Sequence, residues 1–185
     1  MKCKSFRLIL FVSFLFVFNN PAIANIFISV GFPNQYILDS RVININNSNI
    51  DLNKVRLPNG QSFHLNYNFL FGFGYDNVVQ EYTYNSNNNN LLASTNIYNF
   101  FVVAPIPLVK LEAGLGSGST TFKTDSDVTD ADILQYFVKI GLPIFKFGGI
   151  HVGYHKFVGS EVKLSETTLI DPNASMLSTS VSISF

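Results

Sequence analysis

Three histidines, His64, His151 and His155, are the only imidazoles in the 185 residues, so acid–base or metal chemistry is sought among them first. On a strand rising ~3.3 Å per residue, His151 and His155 share a face but stand about 13 Å apart, too far to chelate one ion. His64 and His155 could both approach an outer rim, where a small site is conceivable. His155, Ser160 and Glu161 supply a base, a hydroxyl and a carboxylate close together in sequence. Such a trio makes a nucleophile only if the hydroxyl lies within hydrogen-bond reach of the base and a third group orients the base. The strand pattern points His155 inward, away from Ser160 and Glu161. Interior or rim hydrogen bonding is therefore the reading of greater weight for all three histidines.

A second cluster, Asp125, Asp127, Asp130 and Asp132, brings four carboxylates into eight residues. Oxygen ligands at this density suit calcium or magnesium. Thr129 and Asp130 break the pattern of a helix–loop–helix calcium site, and a solvated acidic loop is the plainer reading. The single cysteine, Cys3, lies in the N-terminal leader, which leaves the mature chain no thiol for disulfides, thiolate metal sites or nucleophilic catalysis. No cofactor is implied.

The elements that must position these residues alternate with period two. Leu177, Val181, Ile183 and Phe185 fall on one face of the last segment, and Ser178, Ser180, Ser182 and Ser184 on the other. Ser62–Tyr75 reads as one strand, with Phe63, Leu65, Tyr67, Phe69, Phe71, Phe73 and Tyr75 on one face. A short strand, Val78–Tyr84, follows an Asp76-Asn77 turn and sends Gln80 outward. Thr95–Ala104 and Val109–Gly118 are joined by Pro105-Ile106-Pro107-Leu108. Ile133–Leu142 and Lys146–Val158 are joined by Pro143-Ile144-Phe145. Ile26, Ile28, Val30 and Phe32 open a first strand that continues toward Ile45. The stretches Asn44–Gly60, Asn85–Asn90, Ser119–Asp132 and Gly159–Asn173 read as loops, with the asparagines at 87–90 a low-complexity tip. The count is eight strands.

Lys2, Lys4 and Arg7 precede an apolar run from Leu8 to Phe18, and Pro21-Ala22-Ile23-Ala24 supplies a break and small residues. This is a secretory signal peptide cleaved after Ala24, its apolar run being too short for a spanning helix of about 20 residues. Residues 25–185 form one domain by length. Nine Lys and Arg then face twelve Asp and Glu, a net of −3, and no basic stripe supports nucleic-acid binding.

With the apolar faces outward, Lys110, Glu112, Gly114, Gly116, Gln135, Phe137, Lys139, His151, Gly153 and His155 face inward. An eight-stranded barrel is just wide enough for its own side chains to fill it, so a filled polar core is expected and a wide pore is not. Glu112 and Lys139 come to matching depth on neighbouring strands and form the expected ion pair, because buried charges must be compensated. Lys110 is a second cation nearby, and the glycines leave room for the long side chains opposite.

Alternating segments, short and long connections in turn, and a terminal Phe185 resemble the small bacterial outer-membrane β-barrels related to outer-membrane proteins A and X and to the opacity and surface-antigen proteins. The resemblance implies an all-β fold: a closed, antiparallel, up-and-down transmembrane barrel with both termini in the periplasm. It implies location in the outer membrane of a Gram-negative bacterium, and assembly by the barrel assembly machinery, which reads the last strand at Phe185. It implies a non-enzymatic, monomeric surface protein that meets outer-membrane lipid and lipopolysaccharide and contacts a host or envelope ligand through its loops. Some small barrels modify lipid A as hydrolases or acyltransferases. The His-x-Ser pairing of the deacylases is absent here, since Val152-Gly153 follows His151 and Lys156-Phe157 follows His155. A small ligand-binding or minor-transport barrel is a further alternative. A soluble lipocalin-like barrel is disfavoured by the aromatic face of residues 63–75.

Overall fold

The computed structural model describes residues 26–40, 42–45, 48–67, 70–84, 89–106, 109–145, 148–166 and 168–185. The leader expected at residues 1–24 lies outside these. Among the described residues thirteen strands are formed: β1 (Ile26–Leu38), β2 (Val42–Ile45), β3 (Ser48–Asp51), β4 (Asn53–Lys54), β5 (Asn59–Tyr67), β6 (Phe71–Tyr84), β7 (Asn89–Ile106), β8 (Val109–Lys123), β9 (Val128–Phe145), β10 (Gly148–Gly159), β11 (Val162–Ser165), β12 (Thr168–Ile170) and β13 (Ala174–Ser184). Eight of them, β1, β5 to β10 and β13, pair antiparallel in the order β6-β5-β1-β13-β10-β9-β8-β7, and the β6–β7 ladder closes the ring. The last residue seals the first: the Phe185 amide donates to the Ile26 carbonyl at 2.9 Å. A closed, all-β, antiparallel barrel of eight strands is the fold, as the alternating sequence implied.

One expected strand is in fact a hairpin. Residues 62–75 divide into β5 and β6, with Tyr67 opposite Phe71, Leu65 opposite Phe73 and Phe63 opposite Tyr75. Partner numbers that sum to an even value keep residues of one parity on one face across the turn. The alternation therefore runs through residues 68–70 without a change of phase, and hydrophobic periodicity could not register the reversal. Asp76-Asn77 is not a turn but the interior of the 14-residue β6. Gln80 faces the lumen and is buried, not lipid-directed.

Other boundaries shift for a related reason: the strands continue well past the apolar belt. β7 and β9 have 18 residues each, against the about 9–11 needed for a crossing. Residues 119–132 are thus mostly ladder, with only 124–127 between β8 and β9. Asn89 and Asn90 belong to the β6–β7 ladder and not to a loop tip. β9 runs through Pro143-Ile144-Phe145, so the link to β10 falls at 146–147. β1 ends at Leu38. The stretches at 44–60 and 159–173 carry strands of their own, and β11-β12-β2-β3 make a separate four-stranded sheet at the end remote from the termini.

The polarity of the wall inverts along its length. In β9 the outward residues Leu134, Tyr136, Val138, Ile140 and Leu142 are apolar and exposed, while Gln135, Lys139 and Gly141 point inward. Farther from the termini the outward residues become Asp130 and Asp132, and the inward ones Ala131 and Ile133. From Leu134 to Ile144 is ten steps, ~33 Å along the strand at ~3.3 Å each, or about 25 Å in height at a tilt of ~40°. Outward Tyr75, Tyr98, Tyr136 and Tyr154 lie along the upper edge of this belt, where amphipathic rings are favoured. Tyr75 donates from Oη to Asn96 Oδ1 at 2.7 Å, just beyond it. The remote half encloses an apolar core that includes Tyr36, Leu38, Leu91, Ile97, Phe122, Ile133, Phe157 and Met176. The interior is thus not polar throughout: inside the belt a polar network packs against Phe27, Phe101, Val103 and Phe137, and above the belt the core is mainly apolar.

Candidate functional site

The chemistry-bearing side chains converge inside the belt. Asp76 on β6 is the hub. Its Oδ1 accepts from His64 Nε2 at 3.2 Å, and its Oδ2 accepts from Asn99 Nδ2 at 2.8 Å and Gln135 Nε2 at 2.9 Å. His155 Nδ1 stands 3.4 Å from the same Oδ2. A carboxylate can only accept and an ammonium can only donate. His64 therefore donates from Nε2 to Asp76 and offers Nδ1 to Lys139 Nζ, 3.2 Å away. The His64 ring stacks on Phe101 at 4.9 Å, and Phe137 stacks on His155 at 5.2 Å. Both imidazoles are fixed in the buried lumen, so neither reaches the outer rim where a joint site was conceivable.

A second group lies nearer the termini. Glu112, wholly buried, has His151 Nδ1 at 3.4 Å, Lys110 Nζ at 3.8 Å and His64 Nδ1 at 3.8 Å. Glu112 and Lys139 are Cα partners in the β8–β9 ladder, and both side chains are buried. The Lys139 ammonium sits against His64, whose Nδ1 lies 3.2 Å from Lys139 Nζ and 3.8 Å from Glu112, so the imidazole adjoins both charges. Two carboxylates, Asp76 and Glu112, and two lysines, Lys110 and Lys139, carry formal charges that sum to zero in this interior, the imidazoles apart. That balance meets the rule that charge taken out of water must be compensated.

Glycines create the space. A Cβ at Gly74 would lie 2.6 Å from the His64 ring, at Gly141 2.4 Å from the His151 ring, and at Gly153 2.7 Å from Ser178 Oγ. Gly114 and Gly116 similarly face Phe137 and Asn99. These glycines let flat rings lie against the wall.

Two Ser–His–carboxylate alignments repeat along β13 and β10. His155 Nε2 is 2.9 Å from Ser178 Oγ, and His151 Nε2 is 2.8 Å from Ser182 Oγ. Their direction is wrong for a nucleophile, whose hydroxyl must donate to the base. Gln135 donates to His155 Nδ1 at 2.6 Å, which leaves Nε2 as the donor to Ser178. Ser182 donates to the Gly149 carbonyl at 3.3 Å, so it accepts from His151. Both serines are also buried. Ser160 and Glu161 are exposed beyond the end of β10, and the trio weighed from the sequence is not assembled.

Sequence reading missed Asp76, His64 and Asn99 as members of one network, because the misplaced turn took Asp76 out of the ladder. The four-residue spacing shared by His151/His155 and Ser178/Ser182 was a usable signal once β10 and β13 are paired antiparallel. The acidic cluster is dispersed. Asp130 and Asp132 are on the outward face of β9, and the turn is closed by its own hydrogen bonds, among them Thr124 N to the Asp127 carbonyl at 2.8 Å. Nearby, burial and then the charges of Asp125 and Asp127 push the Tyr84 phenol above its ordinary value. No three His, Cys, Asp or Glu among the described residues are grouped to hold a metal ion.

The closed ring of eight antiparallel strands with its outward apolar belt gives the chain the fold of the small eight-stranded outer-membrane β-barrels. Among solved structures, Neisserial surface protein A is similar, with a TM-score of 0.51 and 11% identity over 86% of this chain and 96% of that one. Ail, the attachment invasion locus protein of Yersinia pestis, is similar at 15% identity in its complex with the heparin analogue sucrose octasulfate, with a TM-score of 0.49 over 87% of this chain and 99% of that one. A further Ail structure gives 14% and 0.46. No family model and no curated protein matches the sequence.

Proposed function

We propose that this chain is a non-enzymatic surface protein of the bacterial outer membrane, exported by the signal peptide at residues 1–24. In this reading the belt anchors it, and the remote half is presented outside to meet a host or envelope ligand. The observation that carries the reading is the polarity inversion. A wall that is apolar outside and polar inside suits lipid, and one that is polar outside and apolar inside suits water. One chain with both, stacked end to end, is an anchor bearing a water-facing body. The name of Neisserial surface protein A states a surface location for that protein, in keeping with the one proposed here.

The presented half is acidic. Its described cations are Lys54, Arg56, Lys123, Lys156 and Lys163, against Asp39, Asp51, Glu81, Asp125, Asp127, Asp130, Asp132, Glu161, Glu166 and Asp171, five minus ten giving −5. Such a surface favours a basic partner over a sulfated glycan, because complementary charge governs encounter. The buried side chains that hydrogen-bond across the lumen argue against transport.

Fractionation tests the location. Recovery in the outer membrane, with gel migration that changes on heating, is expected; recovery in the soluble periplasm overturns it. A cysteine placed at Ser94, on the polar outer face, should react with an impermeant maleimide in whole cells. Deleting Phe185 should lower the amount of assembled barrel without reducing export, in line with an assembly signal at the closing strand.

A further inference from the structure

β1 is paired unevenly on its two sides. Its ladder with β13 extends from Phe27–Ser184 to Leu38–Ala174, whereas its ladder with β5 stops at Gly31–Ser62. Above that point the wall opens between β1 and the chain that leads into β5. Residues 55–58 bulge from their ladder with β6, four residues standing opposite two between Lys54–Tyr82 and Asn59–Val79, and form a flap beside outward Val152 and Leu177. Lys54, Arg56, Leu57 and Pro58 of this flap, Asn34 and Gln35 of β1, and outward Val152 and Leu177 line one continuous groove.

The flap is pinned. The Val55 amide donates to the Glu81 carbonyl at 3.1 Å, Gln80 Nε2 donates to the Arg56 carbonyl at 2.8 Å, and the Arg56 guanidinium pairs with the Glu81 carboxylate. Asn34 is held by Thr179 at 3.3 Å, beside the bulge between Pro33 and Gln35. The groove therefore has a set shape. Its floor is apolar and its rim carries two cations and two amides. Leu177 lies opposite both Tyr154 and Gln35, so the floor sits at the tyrosine edge of the belt, where acyl chains end and headgroups begin.

We propose that this groove binds an anionic, phosphate-bearing acyl lipid of the outer leaflet, its phosphate between Lys54 and Arg56 and a chain along Leu57, Leu177 and Val152. This rests on the membrane location proposed above. Three features support an anionic amphiphile: the cations lie on an otherwise acidic half, the apolar strip continues the belt, and the depth matches the headgroup boundary. Arginine suits the phosphate through its planar fork of donors, and Glu81 competes with the ligand for that fork.

The test uses the full mature chain in nanodiscs of phosphatidylcholine, titrated with phosphatidic acid of the same acyl chains and read by native mass spectrometry of retained lipid. Phosphatidic acid should be retained in preference to phosphatidylcholine. Lys54→Gln with Arg56→Gln should weaken that retention by about tenfold or more, since both charge-assisted contacts to the phosphate are lost. Glu81→Gln, which releases Arg56, should strengthen it, giving an opposite sign that misfolding cannot mimic. Glycerol 3-phosphate should not compete at matched concentration. Equal retention of the two lipids, full competition by the headgroup alone, or Glu81→Gln weakening retention overturns the proposal. A chain that cannot enter nanodiscs at all would instead overturn the membrane reading.

Discussion

Asp76 and His155 meet across the full width of the barrel, with Oδ2 3.4 Å from Nδ1. Their strands, β6 and β10, are four places apart in an eight-membered ring, which is as far apart as two strands can be. His64 on β5 and Lys139 on β9 stand in the same relation, 3.2 Å apart at Nδ1. These cross-barrel ties join walls that share no ladder, and they fill the lumen with groups whose partners are other lumen groups.

Asp76 should therefore be the most sensitive polar position in the chain. Asp76→Ala strips the partner from His64, Asn99 and Gln135 together and leaves Lys139 short of a counter-charge. Breaking one member of a buried charged network typically costs about 3–5 kcal/mol. The loss should appear as a lower urea midpoint for the heat-modifiable band. A change no larger than that of Asp132→Ala, on the outer face, would remove Asp76 from its place as hub.

The glycines opposite the imidazoles give a steric test. Gly74→Ala drives a methyl to 2.6 Å from the His64 ring, which cannot retreat because Asp76, Lys139, Phe101 and Phe137 hold it. Overpacking of this kind costs roughly 1–3 kcal/mol. In a His64→Ala background the added methyl meets no ring, and its cost should shrink. An equal cost in both backgrounds would show that the glycine serves the backbone instead.

The polarity inversion predicts opposite tolerance on one continuous outer surface. Val138→Arg lies near the middle of the belt, where an arginine facing lipid costs about 2–4 kcal/mol. Ser94→Arg lies above the tyrosines and should change stability by no more than ~0.5 kcal/mol. Unfolding from lipid vesicles measures both, and equal effects would mean that the belt ends elsewhere.

How far the sequence could be read follows from the same geometry. The closing strand was plain, since Leu177, Val181 and Ile183 alternate with the buried Ser178, Ser180 and Ser182 along one uninterrupted strand. The inward set at 110–155 was legible because period two fixes the face once one neighbour is fixed. The hairpin at 67–71 was not, because its three-residue connection preserves phase and contains neither glycine nor proline. The network around Asp76 was hidden with it, and so were the cross-barrel contacts, which depend on a closed ring that no local pattern encodes. The outer half misled for a different reason. Asn-rich and Asp-rich ladder reads as loop unless the apolar inward residues, such as Phe122 and Ala131, are weighed against it.

Glu112 and Lys139 carry the last prediction. They are ladder partners on one face, and neither reaches bulk water. The Lys139 ammonium contacts His64 at both ring nitrogens, 3.1 and 3.2 Å away, and His64 Nδ1 lies 3.8 Å from Glu112. We propose that the two charges stabilise one another in this buried setting with His64 adjoining both. Glu112→Gln alone leaves two lysines facing one carboxylate, and Lys139→Met alone leaves two carboxylates facing one lysine. Either single change should cost about 3–5 kcal/mol, while the double change restores the balance and should cost less than the sum. The coupling is the non-additive part of a double-mutant cycle, read from urea midpoints. His64→Ala should reduce it if the imidazole mediates. Strict additivity would mean that each charge is satisfied separately, Glu112 by Lys110 and His151, and Lys139 by Asp76 through the His64 ring.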